Sequence, residues 1–157
     1  MKTKSTPEPG ELRERALGYL ARREHSRFEL ARKLGQAGFD EADIAALLDE
    51  FEGKNWLSDR RFAESWVADH RARAGSIKLA YDLRQRGVSD SLIEQVLRDN
   101  RDSELERAHE VWRKKFGSAP ADASEKARQM RFMQSRGFTP ETIRRVIAGD
   151  DRGEDDR

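Results

Sequence analysis

Apolar residues recur along the chain at spacings of three and four, the period of an amphipathic helix. No stretch alternates as a half-buried strand does. One fifteen-residue phrase stands in the chain three times: LGQAGFDEADIAALL (Leu34 to Leu48), LRQRGVSDSLIEQVL (Leu83 to Leu97) and MQSRGFTPETIRRVI (Met133 to Ile147). Its glycines, Gly38, Gly87 and Gly137, are 49 and 50 residues apart, a period that signals tandem helical units. Before each glycine, apolar residues stand at helical spacing: Leu30 and Leu34, Leu79 and Leu83, Met130 and Met133. A glycine directly after such a run predicts a left-handed helix terminator. Next come an apolar residue, an N-cap residue and, five positions after the apolar one, an isoleucine. The three sets are Phe39, Asp40 and Ile44; Val88, Ser89 and Ile93; Phe138, Thr139 and Ile143. That order predicts a capped second helix whose entry angle is pinned by a hydrophobic staple. Pro140 fits the first helical position of the third copy, where its missing N–H costs nothing.

A further helix precedes each pair. The candidates are LRERALGYLARR (12–23), SDRRFAESWVADHR (58–71) and LERAHEVWRKKF (105–116). In the second, Ser58 or Asp59 serves as cap, and Leu57 can staple to Phe62. The expected fold is therefore all-α, with three tandem three-helix repeats forming an elongated, curved body. Units of this size bury little surface alone and must rest on their neighbours. The expected boundaries are a flexible N-terminal segment 1–10, repeats at 11–53, 54–100 and 101–149, and an acidic tail 150–157. GSAPADAS (117–124) reads as the clearest internal loop, and Asn100 to Ser103 as a break between units. Trp56, Trp66 and Trp112, with Phe28, Phe62 and Phe132, fall at apolar helical positions and are expected in the cores.

Composition narrows the chemistry. Charged residues make up 39% of the chain and hydrophobic ones 36%, so apolar positions are used economically. With no cysteine, disulfides, thiolate catalysis and cysteine zinc sites are excluded, and a cytoplasmic setting is expected. The start MKTKSTPEPGEL has no apolar region of the signal-peptide kind, and no apolar run is long enough to span a membrane. His25, His70 and His109 stand singly, without metal-site spacing, and His25 reads as a surface residue beside arginines. No glycine-rich phosphate loop is present. Neither an enzyme nor a cofactor is expected.

Charge is sorted by helix. The formal net charge of +1 averages an ending GDDRGEDDR with five acids and two bases against a mildly basic body. Residues 22–34 hold five bases and two acids, residues 71–86 five and one, and residues 113–136 seven and two. The closing helix of the first unit, 39–52, has six acids and no base. A single basic helix is often only a solvated face with local ion pairs. Three in register suggest a stripe complementary to a polyanion or an acidic protein groove. The candidate contact residues are Arg23, Arg27, Arg32 and Lys33 in the first unit. Arg71, Arg73, Lys78, Arg84 and Arg86 follow in the second, and Lys114, Lys115, Arg128, Arg131 and Arg136 in the third. A helix-turn-helix reader of base sequence is disfavoured. Its second helix would bring Asp40, Glu41 and Asp43 to the phosphates in the first unit, and only the third unit offers Arg144 and Arg145.

SRFELARKL, at Ser26, Glu29, Leu30, Lys33 and Leu34, resembles the S-x-x-E-L-x-x-K-L phrase of the RecX regulators. NWLSDRRFAESWV resembles that family's aromatic turn followed by D-x-R-F-A, carried by Asp59, Arg61, Phe62 and Ala63. RARAGSIKLAYDLRQRGV is similar to its G-x-x-x-I-x-x-E-L-x-x-K-G stretch, with Leu79, Asp82 and Arg86 replacing isoleucine, glutamate and lysine. The resemblance spans about residues 12–148 and is loosest in the third unit. It implies a monomeric regulator that lodges along the RecA recombinase filament and restrains ATP hydrolysis and strand exchange. Single- or double-stranded DNA is a further candidate partner, and no membrane is involved. The competing reading is a helical-repeat protein that follows phosphates nonspecifically through its basic stripe.

Overall fold

The structure, a computed structural model, describes residues 8–99 and 103–149. Among them are nine helices and no strand: α1 (Pro9–Arg22), α2 (Arg27–Gln36), α3 (Glu41–Gly53), α4 (Asp59–His70), α5 (Ser76–Gln85), α6 (Asp90–Arg98), α7 (Glu104–Lys115), α8 (Ala123–Ser135) and α9 (Pro140–Ile147). They fall into three units of three, each with its own apolar cluster. Extensive helix–helix packing lies within units, and neighbouring units meet only at narrow junctions. Helix α1 starts at Pro9, inside the segment expected to be flexible, with the proline in the first turn. The acidic ending 150–157 lies outside the described residues, as does most of the expected break at 100–103.

Each repeated phrase folds as its chemistry requires. Gly38, Gly87 and Gly137 have φ of 97°, 81° and 83°, a region that side chains disfavour. The amide after each glycine reaches back to the carbonyl five residues earlier: Phe39 to Leu34 at 3.2 Å, Val88 to Leu83 at 3.1 Å, Phe138 to Met133 at 3.4 Å. This closes the helix end by the Schellman pattern. Asp40, Ser89 and Thr139 then accept from backbone amides of α3, α6 and α9. Ile44, Ile93 and Ile143 are buried behind them. Ser58 caps α4, and Leu57 and Phe62 are both buried.

Several expectations about the cores need correction. Gln129, not Met130, occupies the inner position of α8; Gln129 is 1% exposed and Met130 36%. The buried amide is satisfied: its Oε1 accepts from Trp112 Nε1 at 2.8 Å and its Nε2 donates to the Ser118 carbonyl at 3.1 Å. Phe28 and Trp56 are exposed, although Trp112 and Phe62 are buried and Trp66 and Phe132 partly so. His25 is not a surface residue but 1% exposed, under Tyr19 and against Lys33.

Candidate interaction surface

The site is built on the junctions, which repeat. In the first, the N-terminus of α2 receives the turn of the second unit: Ser26 Oγ donates to the Arg86 carbonyl at 2.7 Å. In the second, the N-terminus of α5 receives the turn of the third unit. Gly75 N donates to the Arg136 carbonyl at 2.8 Å and Ile77 N to the Gly137 carbonyl at 2.9 Å. The turn glycines are thus needed for room as well as for φ. A Cβ on Gly87 would stand 2.3 Å from Phe28 Cβ, and one on Gly137 2.3 Å from Lys78 Cβ. Gly75 has an ordinary φ, yet a Cβ there would lie 2.5 Å from the Gly137 carbonyl oxygen. Gly38, in the turn of the first unit, meets nothing within 4 Å.

The residues that carry the family resemblance hold this junction. Ser26 and Glu29 form a reciprocal capping box on α2. Arg86 lies 3.9 Å over the Trp66 ring, 4.0 Å from the Glu29 carboxylate, and donates to the Asp82 carbonyl. Asp59 accepts from Arg27 N at 2.8 Å, and burial raises its pKa above the usual value. Arg61 donates to Glu24 and to Asn55 Oδ1, both at 3.1 Å. Lys33 donates to His25 Nε2 at 2.8 Å and lies over the Tyr19 ring. His25 Nδ1–H in turn donates to the Arg23 carbonyl, so the ring is held as a neutral tautomer. Burial lowers its pKa, and the nearby Arg23 and Lys33 cations push the same way.

The expected stripe is thinned by pairing. Arg27 bridges to Asp49 and Glu52 on acidic α3, and those contacts raise its pKa against the effect of its burial. Arg23 pairs with Glu29, Lys78 with Asp82 and Arg84 with Asp90. Arg71 donates to Ser103 Oγ at 2.9 Å. Exposed pairs of this kind contribute about 0–1 kcal/mol each, but they occupy the cation. Lys115 and Arg136 lie over the Phe132 ring, and Arg128 over Phe116 while pairing with Glu125. Those two rings meet edge to face at 5.4 Å, so three candidate cations are gathered on one aromatic pair of the third unit. Arg32, Arg73, Lys114 and Arg131 remain exposed with no side-chain hydrogen bond or ion pair among the described residues. Sequence reasoning missed Gln129 and Arg107, and it met Gly75 only as the opening glycine of a family-like phrase, with no role assigned. Arg107 is buried enough for desolvation to lower its pKa, and it ties α7 to the Arg71 and Ala74 carbonyls at 2.6 and 2.8 Å. No local pattern reveals what any of the three does, because each acts on a partner far along the chain.

Among the described residues there is no cluster of side chains able to hold a metal ion, and no helix is long and apolar enough to cross a membrane. Family models for the first, second and third three-helix domains of RecX match residues 13–51, 58–97 and 102–147. The Regulatory protein RecX of Ralstonia nicotianae is 45% identical over 149 residues, covering 95% of this chain and 94% of that one. The Regulatory protein RecX of Chromobacterium violaceum is 46% identical over 138 residues, covering 88% and 90%. A crystal structure of RecX from Lactobacillus salivarius superposes with a TM-score of 0.79 at 19% identity, covering 91% of this chain and 96% of that one.

Proposed function

The chain belongs to the RecX family of regulatory proteins, which are not enzymes, and we propose that it binds along the RecA–DNA filament and restrains it. The effect is to lower ATP hydrolysis and strand exchange, and so to regulate recombination and DNA repair in the cytoplasm. The observation that carries this reading is the repeated junction. Glycine-tight contacts at equivalent positions, hydrogen-bonded by the Ser26 hydroxyl in one and by the Gly75 and Ile77 amides in the other, join the three domains, which extends a binding face rather than enclosing a site. A monomer built this way, elongated and curved, suits a partner that is itself a repeat of identical protomers. The exposed Arg32, Arg73, Lys114 and Arg131 supply attraction and steering toward an acidic groove, with the paired cations behind them.

The test is ATP hydrolysis by RecA on single-stranded DNA with the chain added, together with binding of the chain to the same DNA alone at raised salt. Restraint of hydrolysis without salt-resistant DNA binding is expected. If the chain only competes for bare DNA, and does so with the steep salt dependence of phosphate contacts, the reading fails in favour of nonspecific nucleic-acid binding.

A further inference from the structure

The repeat also produces a groove between the second and third helices of every unit. In the first unit it is lined by Phe28, Ala31, Phe39, Ile44, Ala45 and Leu48, with a volume of about 450 Å³. In the second, the equivalent residues Ile77, Ala80, Ile93 and Leu97 line a larger cleft closed on its far side by Glu104, Arg107 and Thr139 of the third unit. In the third, Met130, Pro140 and Ile147 line a groove of about 530 Å³ whose far wall is Ala119 and Pro120 of the 117–122 loop. That loop is held deliberately. Gly117 turns the chain at φ 75°, and the buried Gln129 fixes the Ser118 carbonyl. Two of the three equivalent grooves are therefore walled by the chain itself. Among the described residues, the first is lined by its own two helices and the turn between them alone.

We propose that the open groove of the first unit docks an extended segment of the partner protein, bearing a small residue–proline step and one nearby carboxylate. The occupant is indicated by the molecule's own solution in the third unit, where Ala119–Pro120 meets the same helix pair. Phe28, half exposed, gives that step an apolar surface to cover. Arg32 lines the groove without a partner and selects a carboxylate, whereas Glu41, also lining it, disfavours a strongly acidic stretch. Arg27 is already neutralised by Asp49 and Glu52. The proposal rests on the filament reading only for the identity of the partner. The groove's preference for such a segment stands apart from it.

The probe is a synthetic peptide of the chain's own 117–124 sequence, GSAPADAS, titrated into the isotope-labelled full chain and followed by amide chemical shifts. Saturating shifts at Phe28, Ala31 and Ala45 are expected. They should vanish in Ala45→Trp, which fills the groove from an exposed position, and weaken severalfold in Arg32→Glu. A peptide with glycine in place of proline should bind severalfold less well. Shifts that persist in Ala45→Trp, or none in the first unit at millimolar peptide, overturn the proposal. It also fails if deleting residues 1–7 alone reproduces the shifts, since the occupant is then the chain's own start. Shifts that depend on protein concentration without peptide likewise overturn it, since the occupant is then a second copy. In the RecA hydrolysis assay, Ala45→Trp should lose most of its restraint while melting like the parent. Full restraint by that variant means the filament does not use the groove. No restraint by the parent itself sinks the filament reading, and leaves the peptide result to be judged alone.

Discussion

Three glycines in one backbone conformation but three different surroundings permit a test of the junctions. Alanine at Gly38, Gly87 or Gly137 places a side chain at φ of 97°, 81° or 83°, which costs roughly 1–2 kcal/mol in each case. At Gly38 nothing lies within 4 Å of the new Cβ, so that strain is the whole effect. At Gly87 the Cβ would meet Phe28 Cβ at 2.3 Å, and at Gly137 it would meet Lys78 Cβ at 2.3 Å and Lys78 N at 2.6 Å. Relieving such overlaps adds about 1–3 kcal/mol. Gly87→Ala cannot be relieved by a rotamer change alone, because the position of Phe28 Cβ is set by the α2 backbone, so α2 itself must shift. Gly137→Ala should fall at the upper end, because backbone atoms of α5 block it. Totals of about 1–2 kcal/mol for Gly38→Ala and about 2–5 kcal/mol for the other two are expected. Urea unfolding followed by far-ultraviolet circular dichroism measures them, and solution scattering reports whether the units splay. Scattering should change for Gly87→Ala and Gly137→Ala but not for Gly38→Ala. Equal losses at all three positions would mean that the units do not interlock as the structure has them.

Other tests follow from burial and charge. His25 has a folded pKa below the 6.5 of a free imidazole, so the unfolded chain binds the proton first as pH falls. Its contribution is complete above pH 6.5 and declines below it, at no more than about 1.4 kcal/mol per pH unit. The difference in unfolding free energy between the parent and His25→Gln, taken from pH 8 to pH 5, should carry that slope; a flat difference refutes it. Reversing Arg32, Arg73, Lys114 and Arg131 to glutamate takes the net charge from +1 to −7 at exposed positions, so the helical spectrum should persist while restraint of RecA is lost. If restraint survives, the free cations are only a solvated face. A compact chain of this length would have a radius of gyration of about 15 Å, and scattering should clearly exceed it; a value at the compact figure contradicts three units in a row.

What the sequence by itself determined is what lies within a few residues. Glycine terminators, N-caps and staples each join positions no more than six apart, so Gly87, Ser89 and Ile93 specify their turn wherever the unit sits. Repetition of that local phrase was enough to read three helical units, and the RecX-like phrases were enough to suggest the family. Tertiary structure decided which side chains the units use against one another. Ser26 and Arg86 are 60 residues apart, and no local pattern says that a capping serine also donates to a distant carbonyl. Gln129 and Met130 fit the helical period almost equally well. Gln129 goes inside only because Trp112 and the returning Ser118 carbonyl meet its amide there. The basic stripe shows the same limit. Helix-by-helix counting found the cations, but acidic α3 folds back beside α2 and neutralises Arg27, while Arg86 stacks on Trp66. Charge is a property of the chain, whereas a free charge depends on distances that only packing sets, because Coulombic attraction falls with separation and ignores sequence order.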